Sequence, residues 1–511
     1  MGGEVKEECA LAAVSLSKPV NDATQSAAAC LYKMLLHQQH RGQLSAGITT
    51  YLNGRNQVID TYRKLGKIDT AFKTYKREKF LGILSKYSGS KGIGHLRYST
   101  CGADDVGFAQ PFERHHGRRW KWFSFAFNGN IANYCELKKG LAESDYHLIR
   151  DTDTEAMMHL ISKQMVGSEK TSIQDIFGNL AGIFDGSYSL VYINAEGDIA
   201  ILRDPIGFKP LCYGMKDDDF FAASESVAFN SDGRMKVETV EPGEMVLVSN
   251  GSVEKKRFAK CEKKAHCMFE WVYFANPRSV IDGKSVYSAR LNLGKALAMY
   301  ETVKAADDVI VVSVPDTAKP VGDALAFELG VSAQEGVMRN RYVGRTFIET
   351  DNRAEKVNEK YSIIKSIVQG KKVILVEDSI VRGTTTKGLI HRLKEYGGAK
   401  EVHLRVACPP ILAPCFYGID MSTVSELLAP AYVKNISEGI TAEESAKLAK
   451  DYGVDSMFYL PKSELAKAIG LPGNELCMAC LNADYPTEYG KKLYGDALKN
   501  SGNGENKRTY E

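Results

Sequence analysis

Val373-Ile374-Leu375-Val376-Glu377-Asp378-Ser379-Ile380-Val381-Arg382-Gly383-Thr384-Thr385-Thr386 is an apolar run that ends in two carboxylates, a glycine and four hydroxyls. A short run without polar alternation suits a strand buried on both faces, as in a parallel sheet. Thr385 to Tyr396 follows as a helix, closed by Gly397-Gly398. A lone Thr-Thr there would read as an ordinary Ser/Thr helix cap. Here acids, glycine and hydroxyls coincide at a strand's C-terminal end, where open α/β sheets bind ligands, and beside helix amides that suit a phosphate. That pattern fits a sugar phosphate, with the acids on ribose hydroxyls and the loop on the phosphate.

The flanking text repeats the alternation of strand and helix. Ser288 to Ala305 reads as a helix, Val309 to Val314 as a buried strand, Gly322 to Leu329 as a helix and Val402 to Ala407 as the next strand. Such alternation indicates a parallel α/β sheet. Before Asn250 to Lys264, a polar stretch taken as the domain boundary, the text is richer in short strands. Asn21 to Arg41 is a helix pattern stopped by Gly42, and Thr154 to Gln164 a second helix. Trp120 to Phe127 alternates as a strand into Asn128-Gly129, a strong hairpin signal, and Tyr188 to Asn194 is another strand. No internal repeat appears.

The 511 residues suit two to four domains at about 100–200 residues each. Lys plus Arg is 66 against 63 for Asp plus Glu, a net charge of +3, which argues against a polybasic nucleic-acid binder. No apolar run approaches the ~20 residues of a membrane span. The acidic start, Glu4 to Glu8, lacks the basic region of a secretory signal, so a cytoplasmic location is expected. Eleven irregularly spaced cysteines in such a chain do not form a disulfide framework. Cys9 reads either as a small buried hydrophobe or, if residues 1–8 are removed, as an N-terminal nucleophile whose α-amine is its base. Cys477-Met478-Ala479-Cys480 has a spacing shared by metal sites and redox dithiols.

The run at 373–386 resembles the phosphoribosyl pyrophosphate signature of type I phosphoribosyltransferases. By that resemblance Glu377, Asp378, Ser379, Arg382, Gly383, Thr384 and Thr385 bind the substrate, and the turn Pro315-Asp316-Thr317-Ala318-Lys319 contacts pyrophosphate and Mg2+. Thr317, Glu377 and Asp378 are the implied magnesium ligands, with Lys319 on pyrophosphate. Tyr342 to Ile348, with Arg345 and on to Arg353 and Lys360, resembles the mobile loop that supplies cations to the leaving group. In the first half, His40-Arg41-Gly42-Gln43, Gly94-His95-Leu96-Arg97, Phe127-Asn128-Gly129-Asn130 and Thr152-Asp153-Thr154 come in order. Together they resemble a class II glutamine amidotransferase. That implies Cys9 as nucleophile, Asn128 and Gly129 as oxyanion hole, Arg97 on the glutamine carboxylate and Asp153 on its amino group.

The two halves in one chain resemble the amidophosphoribosyltransferase family over about Cys9 to Tyr489. The implied fold is mixed α/β: an N-terminal-nucleophile αββα sandwich, then a parallel phosphoribosyltransferase sheet. The division expected is a propeptide at 1–8, a glutaminase domain at 9–258, a transferase domain at 259–490 and a disordered tail at 491–511. The resemblance extends to the family's iron–sulfur, propeptide-containing subgroup. It makes Cys267, Cys415, Cys477 and Cys480 ligands of a [4Fe–4S] cluster, although four thiolates also suit zinc. The implied reaction joins glutamine, water and phosphoribosyl pyrophosphate into 5-phosphoribosylamine, glutamate and pyrophosphate, the first step of purine synthesis. Inhibition by purine nucleotides and assembly as a homotetramer are further implications; no nucleic-acid or membrane partner is implied.

Departures from the family pattern motivate two rivals. Ala10 and Ala13 replace the usual glycines after the nucleophile, which suggests an ammonia-dependent transferase with a dead glutaminase. Glu377 replaces an aspartate, and Thr317-Ala318-Lys319 the more frequent Ser-Gly-Arg, which suggests a non-catalytic nucleotide or iron–sulfur sensor. Thr keeps the hydroxyl and Lys the charge, though not the planar fork.

Overall fold

Alternation along one strand, Ala10–Ser15 (β1), sets the layers of the first half. Ala10, Ala12 and Val14 turn toward the helix Ala27–His37 (α1), while Leu11 and Ala13 turn toward a second sheet. The computed structural model describes residues 9–98, 105–229, 235–340, 361–421 and 423–502. Within them β1 joins Ser45–Tyr51 (β2), Ile59–Leu65 (β3) and Lys91–Arg97 (β4). The second sheet begins with Phe112–Arg114 (β5), Phe123–Ile131 (β6), Gly186–Asn194 (β7) and Ile199–Arg203 (β8). Cys212–Lys216 (β9), Asp219–Ala223 (β10) and Lys236–Thr239 (β11) return to the first sheet. Glu244–Ser249 (β12) and Ser252–Arg257 (β13) complete the second.

The strand orders are β11-β9-β10-β1-β4-β2-β3 and β13-β12-β8-β7-β6-β5, antiparallel throughout. Helices Tyr134–Glu143 (α2), Asp153–Lys163 (α3) and Ile173–Ala181 (α4) cover the outer face of the second sheet. Apolar clusters thus lie between α1 and the first sheet, between the sheets, and between the second sheet and α2–α4. This is the expected αββα sandwich.

The second half is a five-stranded parallel sheet among the described residues. Its strands are Val309–Ser313 (β14), Ser332–Ala333 (β15), Lys372–Glu377 (β16), Glu401–Val406 (β17) and Ser456–Tyr459 (β18). They are ordered β15-β14-β16-β17-β18. Helices Val286–Ala298 (α5) and Lys319–Leu329 (α6) cover one face. Thr384–Glu395 (α7) and Ala442–Tyr452 (α8) cover the other, and Lys462–Ile469 (α9) returns to the first. The order reverses between β14 and β16, and a sheet of this kind opens a crevice at the carboxyl ends of those two strands. No helix is long and apolar enough to cross a membrane among the described residues.

Three sequence expectations change. Asn128-Gly129 is no hairpin turn: β6 runs on to Ile131, pairing Asn128 with Ser189 and Gly129 with Tyr188. The helix expected to reach Ala305 ends at Ala298, because the Glu301 carboxylate accepts the Thr302 and Val303 amides at 2.8 Å and pairs with Arg405. Residues 491–502, expected within a disordered tail, belong to the helix Glu488–Gly502 (α10). Leu493 and Ala497, one turn apart, bury its inner face. Residues 1–8, expected as a propeptide, and residues 503–511 lie outside the described residues.

Candidate active sites

The parallel sheet delivers the transferase candidates to its reversal point. A cavity of about 70 Å³ lies there, walled by Asp316 and Thr317 after β14 and by Glu377, Asp378 and Ser379 after β16. Gly383, Thr385 and Thr386 form its loop side. Gly383 has φ +75, and a Cβ there would stand 1.5 Å from the Tyr452 hydroxyl, so only glycine fits. The carboxylates are held in place, with Ser379 Oγ donating to Asp378 at 2.7 Å and Thr386 Oγ1 to Glu377 at 3.4 Å. Arg339 pairs with Asp316 at 3.5 Å. The Tyr361 hydroxyl faces the carboxylates and stays protonated, its pKa raised first by burial and then by Glu377 and Asp378.

Other expected binders stand aside from this cavity. Lys319 pairs with Glu335 at 2.5 Å, and Arg382 pairs with Glu426 and donates to the Asp420 carbonyl at 3.3 Å. Thr384 sits exposed at the start of α7. Arg345 and Lys360 lie outside the described residues. Sequence reading missed Arg339, Tyr361 and Tyr273 as cavity walls, because each arrives from a segment without a motif of its own. A larger cavity, about 830 Å³ between Tyr300, Arg405 and α8, holds none of the expected site residues.

In the sandwich, Ile93 and Leu96 of β4 fall in the inter-sheet and α1-facing clusters respectively, so alternation puts Arg97 on the inter-sheet side with Leu11 and Ala13. The same alternation continued back along β1 sets Cys9 on that side and turns the Ala10 methyl away from it. Ala13 fits among Leu11, Ile93 and Ala126, the inter-sheet cluster. Arg97 lies over the Phe108 ring at 5.4 Å and is 5% exposed. Asp153 starts α3, which Thr152 caps by accepting the Glu155 amide at 3.3 Å. Burial pushes the Asp153 carboxyl up to about 6, against the pull of the Ile131 and Thr154 amides and of Arg97. His95 is pushed down to about 3 by burial and then Arg97, so it is neutral and leaves Arg97 the cation of this cleft face. Asn128 is buried, and its Nδ2 meets no acceptor among the described residues, as befits a donor awaiting a ligand.

Cys9 is tied to the second half through its own backbone. Its carbonyl accepts from Arg41 Nε at 3.1 Å. Arg41 donates to Glu225 at 2.6 Å and to both oxygens of Glu270 at 2.9 and 2.8 Å. Glu225 also accepts from the Asn276 amide at 2.8 Å and Ser279 Oγ at 2.7 Å.

The four cysteines named together come from three segments that meet at the junction of the halves. Cys267 and Cys477 are register partners in a short parallel bridge, and the Cys480 carbonyl accepts the Leu412 and Ala413 amides. Burial raises the Cys480 thiol well above its ordinary value, and the thiols of Cys415, Cys408, Cys477 and Cys267 raise it further. Burial likewise pushes Cys477 up to about 12. Among the described residues, no group of three or more His, Cys, Asp or Glu side chains is set to hold a metal ion.

Comparison with known proteins matches both halves. A family described as a glutamine amidotransferase domain matches residues 82–269, and one described as a phosphoribosyl transferase domain matches residues 292–412. The amidophosphoribosyltransferase of Methanothermobacter thermautotrophicus is 39% identical over 492 residues, covering 95% of each chain. That of Bacillus subtilis is 35% identical over 469 residues, covering 90% of each. The solved structure of the B. subtilis glutamine phosphoribosylpyrophosphate amidotransferase, complexed with ADP and GMP, superposes with a TM-score of 0.81 at 32% identity. It covers 94% of this chain and 98% of that one.

Proposed function

The chain belongs to the amidophosphoribosyltransferase family, and on that premise we propose that its two sites run one reaction. It is a glutamine-dependent amidophosphoribosyltransferase, converting phosphoribosyl pyrophosphate, glutamine and water to 5-phosphoribosylamine, glutamate and pyrophosphate. This is the first step of de novo purine synthesis. The observation that carries the reading is the pairing of an αββα sandwich with a carboxylate-and-hydroxyl cavity at the reversal point of a parallel sheet, in one chain. The glutaminase domain runs 9–258 and the transferase domain from 259 into α10, with 1–8 removed to free the Cys9 amine.

Arg97 holds the glutamine carboxylate and ionised Asp153 its ammonium, turning the amide toward Cys9. The Cys9 thiolate attacks that carbon, with its α-amine taking and returning the proton. Asn128 Nδ2 and the Gly129 amide bind the oxyanion as ammonia leaves. Water then releases glutamate from the thioester. Ammonia passes internally to the transferase cavity and displaces pyrophosphate from C1 of the ribose through an oxocarbenium-like transition state. There Glu377 and Asp378 hold the ribose hydroxyls, and Ser379, Gly383, Thr384 and Thr385 cradle the 5-phosphate. Arg345 and Lys360 supply positive charge around the pyrophosphate; Lys319, to join them, and Arg382, to reach the substrate, must first leave Glu335 and Glu426.

The donor set suits Mg2+, which takes one or two carboxylates and keeps substrate oxygens and waters. Thr317, Glu377 and Asp378 would hold it, and it would neutralise charge on the leaving pyrophosphate. The thiols of Cys267, Cys415, Cys477 and Cys480 would hold a structural [4Fe–4S] cluster. The meeting of their three segments and the influence of the Cys415, Cys477 and Cys267 thiols on Cys480 support this assignment. A cytoplasmic homotetramer inhibited by purine nucleotides completes the proposal.

The test is pyrophosphate release with glutamine, with ammonium, or with neither. Cys9→Ala should abolish turnover with glutamine and keep it with ammonium. Equal glutamine-dependent rates for both proteins would refute the Cys9 mechanism, and no turnover with either nitrogen source would favour the sensor. The Ala10 methyl, turned to the α1 side, removes part of the motive for a dead glutaminase.

A further inference from the structure

The oxyanion strand of the sandwich is gripped by a tongue from the other half. Asn130 Nδ2 donates to the Phe416 carbonyl at 2.9 Å, and Ser187 Oγ donates to the next carbonyl, Tyr417, at 2.8 Å. The same Ser187 Oγ accepts the Asn130 amide at 3.2 Å. Asn130 is therefore fixed at backbone and side chain, immediately after Gly129. Gly418 closes the contact: a Cβ on it would stand 3.2 Å from the Gly129 carbonyl carbon and 3.3 Å from its Cα. Gly129 has φ +149, and a Cβ there would lie 1.9 Å from the Ser187 carbonyl oxygen. The tongue is anchored in turn by the Tyr417 ring, stacked on Phe208 at 4.2 Å, and by the Cys415 amide, which donates to Met421 at 2.7 Å.

A glycine is the least self-determined residue of a strand, yet an oxyanion donor must be preorganised to lower a barrier. From these contacts we infer that residues 416–418 of the transferase half set the glutaminase oxyanion hole, with Asn130 and Ser187 as positioning residues. The inference deepens the proposed function and rests on its assignment of Asn128 and Gly129. It makes the glutaminase half incomplete without the transferase half: the peptide that follows its oxyanion glycine is oriented by carbonyls that half does not own. The tongue also has a mechanical link to the phosphate loop, since Arg382 donates to the Asp420 carbonyl two residues beyond Gly418.

The test uses full-length protein and measures glutamate release against glutamine, together with ammonium-dependent pyrophosphate release. Ser187→Ala and Asn130→Ala should each lower glutaminase kcat by roughly 10–100-fold, the cost of a misplaced rather than a deleted donor. The glutamine KM should stay within about threefold, and ammonium-dependent turnover should be unchanged. Ser187→Thr, which keeps the hydroxyl, should restore most of the kcat lost in Ser187→Ala. A kcat within twofold of wild type in both alanine variants would overturn the inference. So would an equal loss of ammonium-dependent turnover, which marks general damage at the junction. Failure of the underlying functional reading looks different: wild-type protein itself would release no glutamate.

Discussion

Replacing Arg41 by Met should expose how much the junction depends on one guanidinium. Arg41, Glu225 and Glu270 have side chains 0%, 0% and 1% exposed, so one cation is shared by two carboxylates in a dry site. Removing one partner of such a buried group costs about 3–5 kcal/mol, because the remaining charge stays desolvated. Glu225 retains His40, the Asn276 amide and Ser279 Oγ, which limits its share of the penalty. At about 2–4 °C per kcal/mol for a domain of this size, the first unfolding midpoint should fall roughly 6–20 °C. Arg41→Met combined with Glu270→Gln, which removes one of the two buried carboxylate charges, should recover at least half of that loss.

The pH dependence gives a second readout of the same site. Burial alone would raise the Glu225 carboxyl, but His40 and Arg41 beside it hold it well below its ordinary 4.5. In wild type its contribution is therefore present above about 4.5 and lost as the pH falls through the lower folded value. In Arg41→Met one of the cations that lowers the Glu225 carboxyl is gone, so that carboxyl rises from its wild-type value and the penalty eases on acidification. The midpoint gap between the two proteins should be narrower at pH 5 than at pH 8. A gap worth under about 1 kcal/mol, or one that widens toward acid, would refute this account of the junction.

Two further outcomes follow from the sites themselves. Asp153 is ionised only above about 6 in the folded protein, so recognition of the glutamine ammonium is present above that pH and lost as pH falls through it. Glutaminase kcat/KM should drop on that acidic limb, and Asp153→Asn should be slow with the limb gone; an unchanged limb in the variant would assign it to another group. For the cysteines, protein purified without oxygen should carry about four iron and four sulfide per chain and absorb in the visible. Cys480→Ser should lose both, whereas a colourless protein holding zinc would replace the cluster with a zinc site.

The parts of the fold that could be read in the sequence are those dictated by local periodicity. The run Val373 to Val376 could only be a strand covered on both faces, and its acids and hydroxyls had to emerge together at one end. Asn128-Gly129 misled for a physical reason: the dipeptide favours a turn, but pairing with Ser189 and Tyr188 on β7 keeps the strand going. Its glycine serves close approach to another backbone instead. The end of α5 was equally hidden, because it is set by Glu301 turning back on its own amides and meeting Arg405 about a hundred residues later.

What the sequence could not carry is the dependence of one half on the other. Arg41 lies within a recognisable motif, yet its carboxylate partners stand 184 and 229 residues away. Asn130 only closes a motif read for its neighbours and Ser187 has no pattern, and their acceptors are main-chain carbonyls, which any residue type supplies. A sequence records side chains, so a site completed by another segment's backbone leaves no mark in it. The near-balanced charge of the chain has the same origin. Charges that matter here are paired in space, as Arg203 with Asp282 at 2.6 Å, and such pairs cancel in any total. Two halves joined through such pairs and through the carbonyls of 416 and 417 are one functional unit. Excising the first 258 residues should therefore leave a sandwich with its nucleophile present and its oxyanion strand ungoverned.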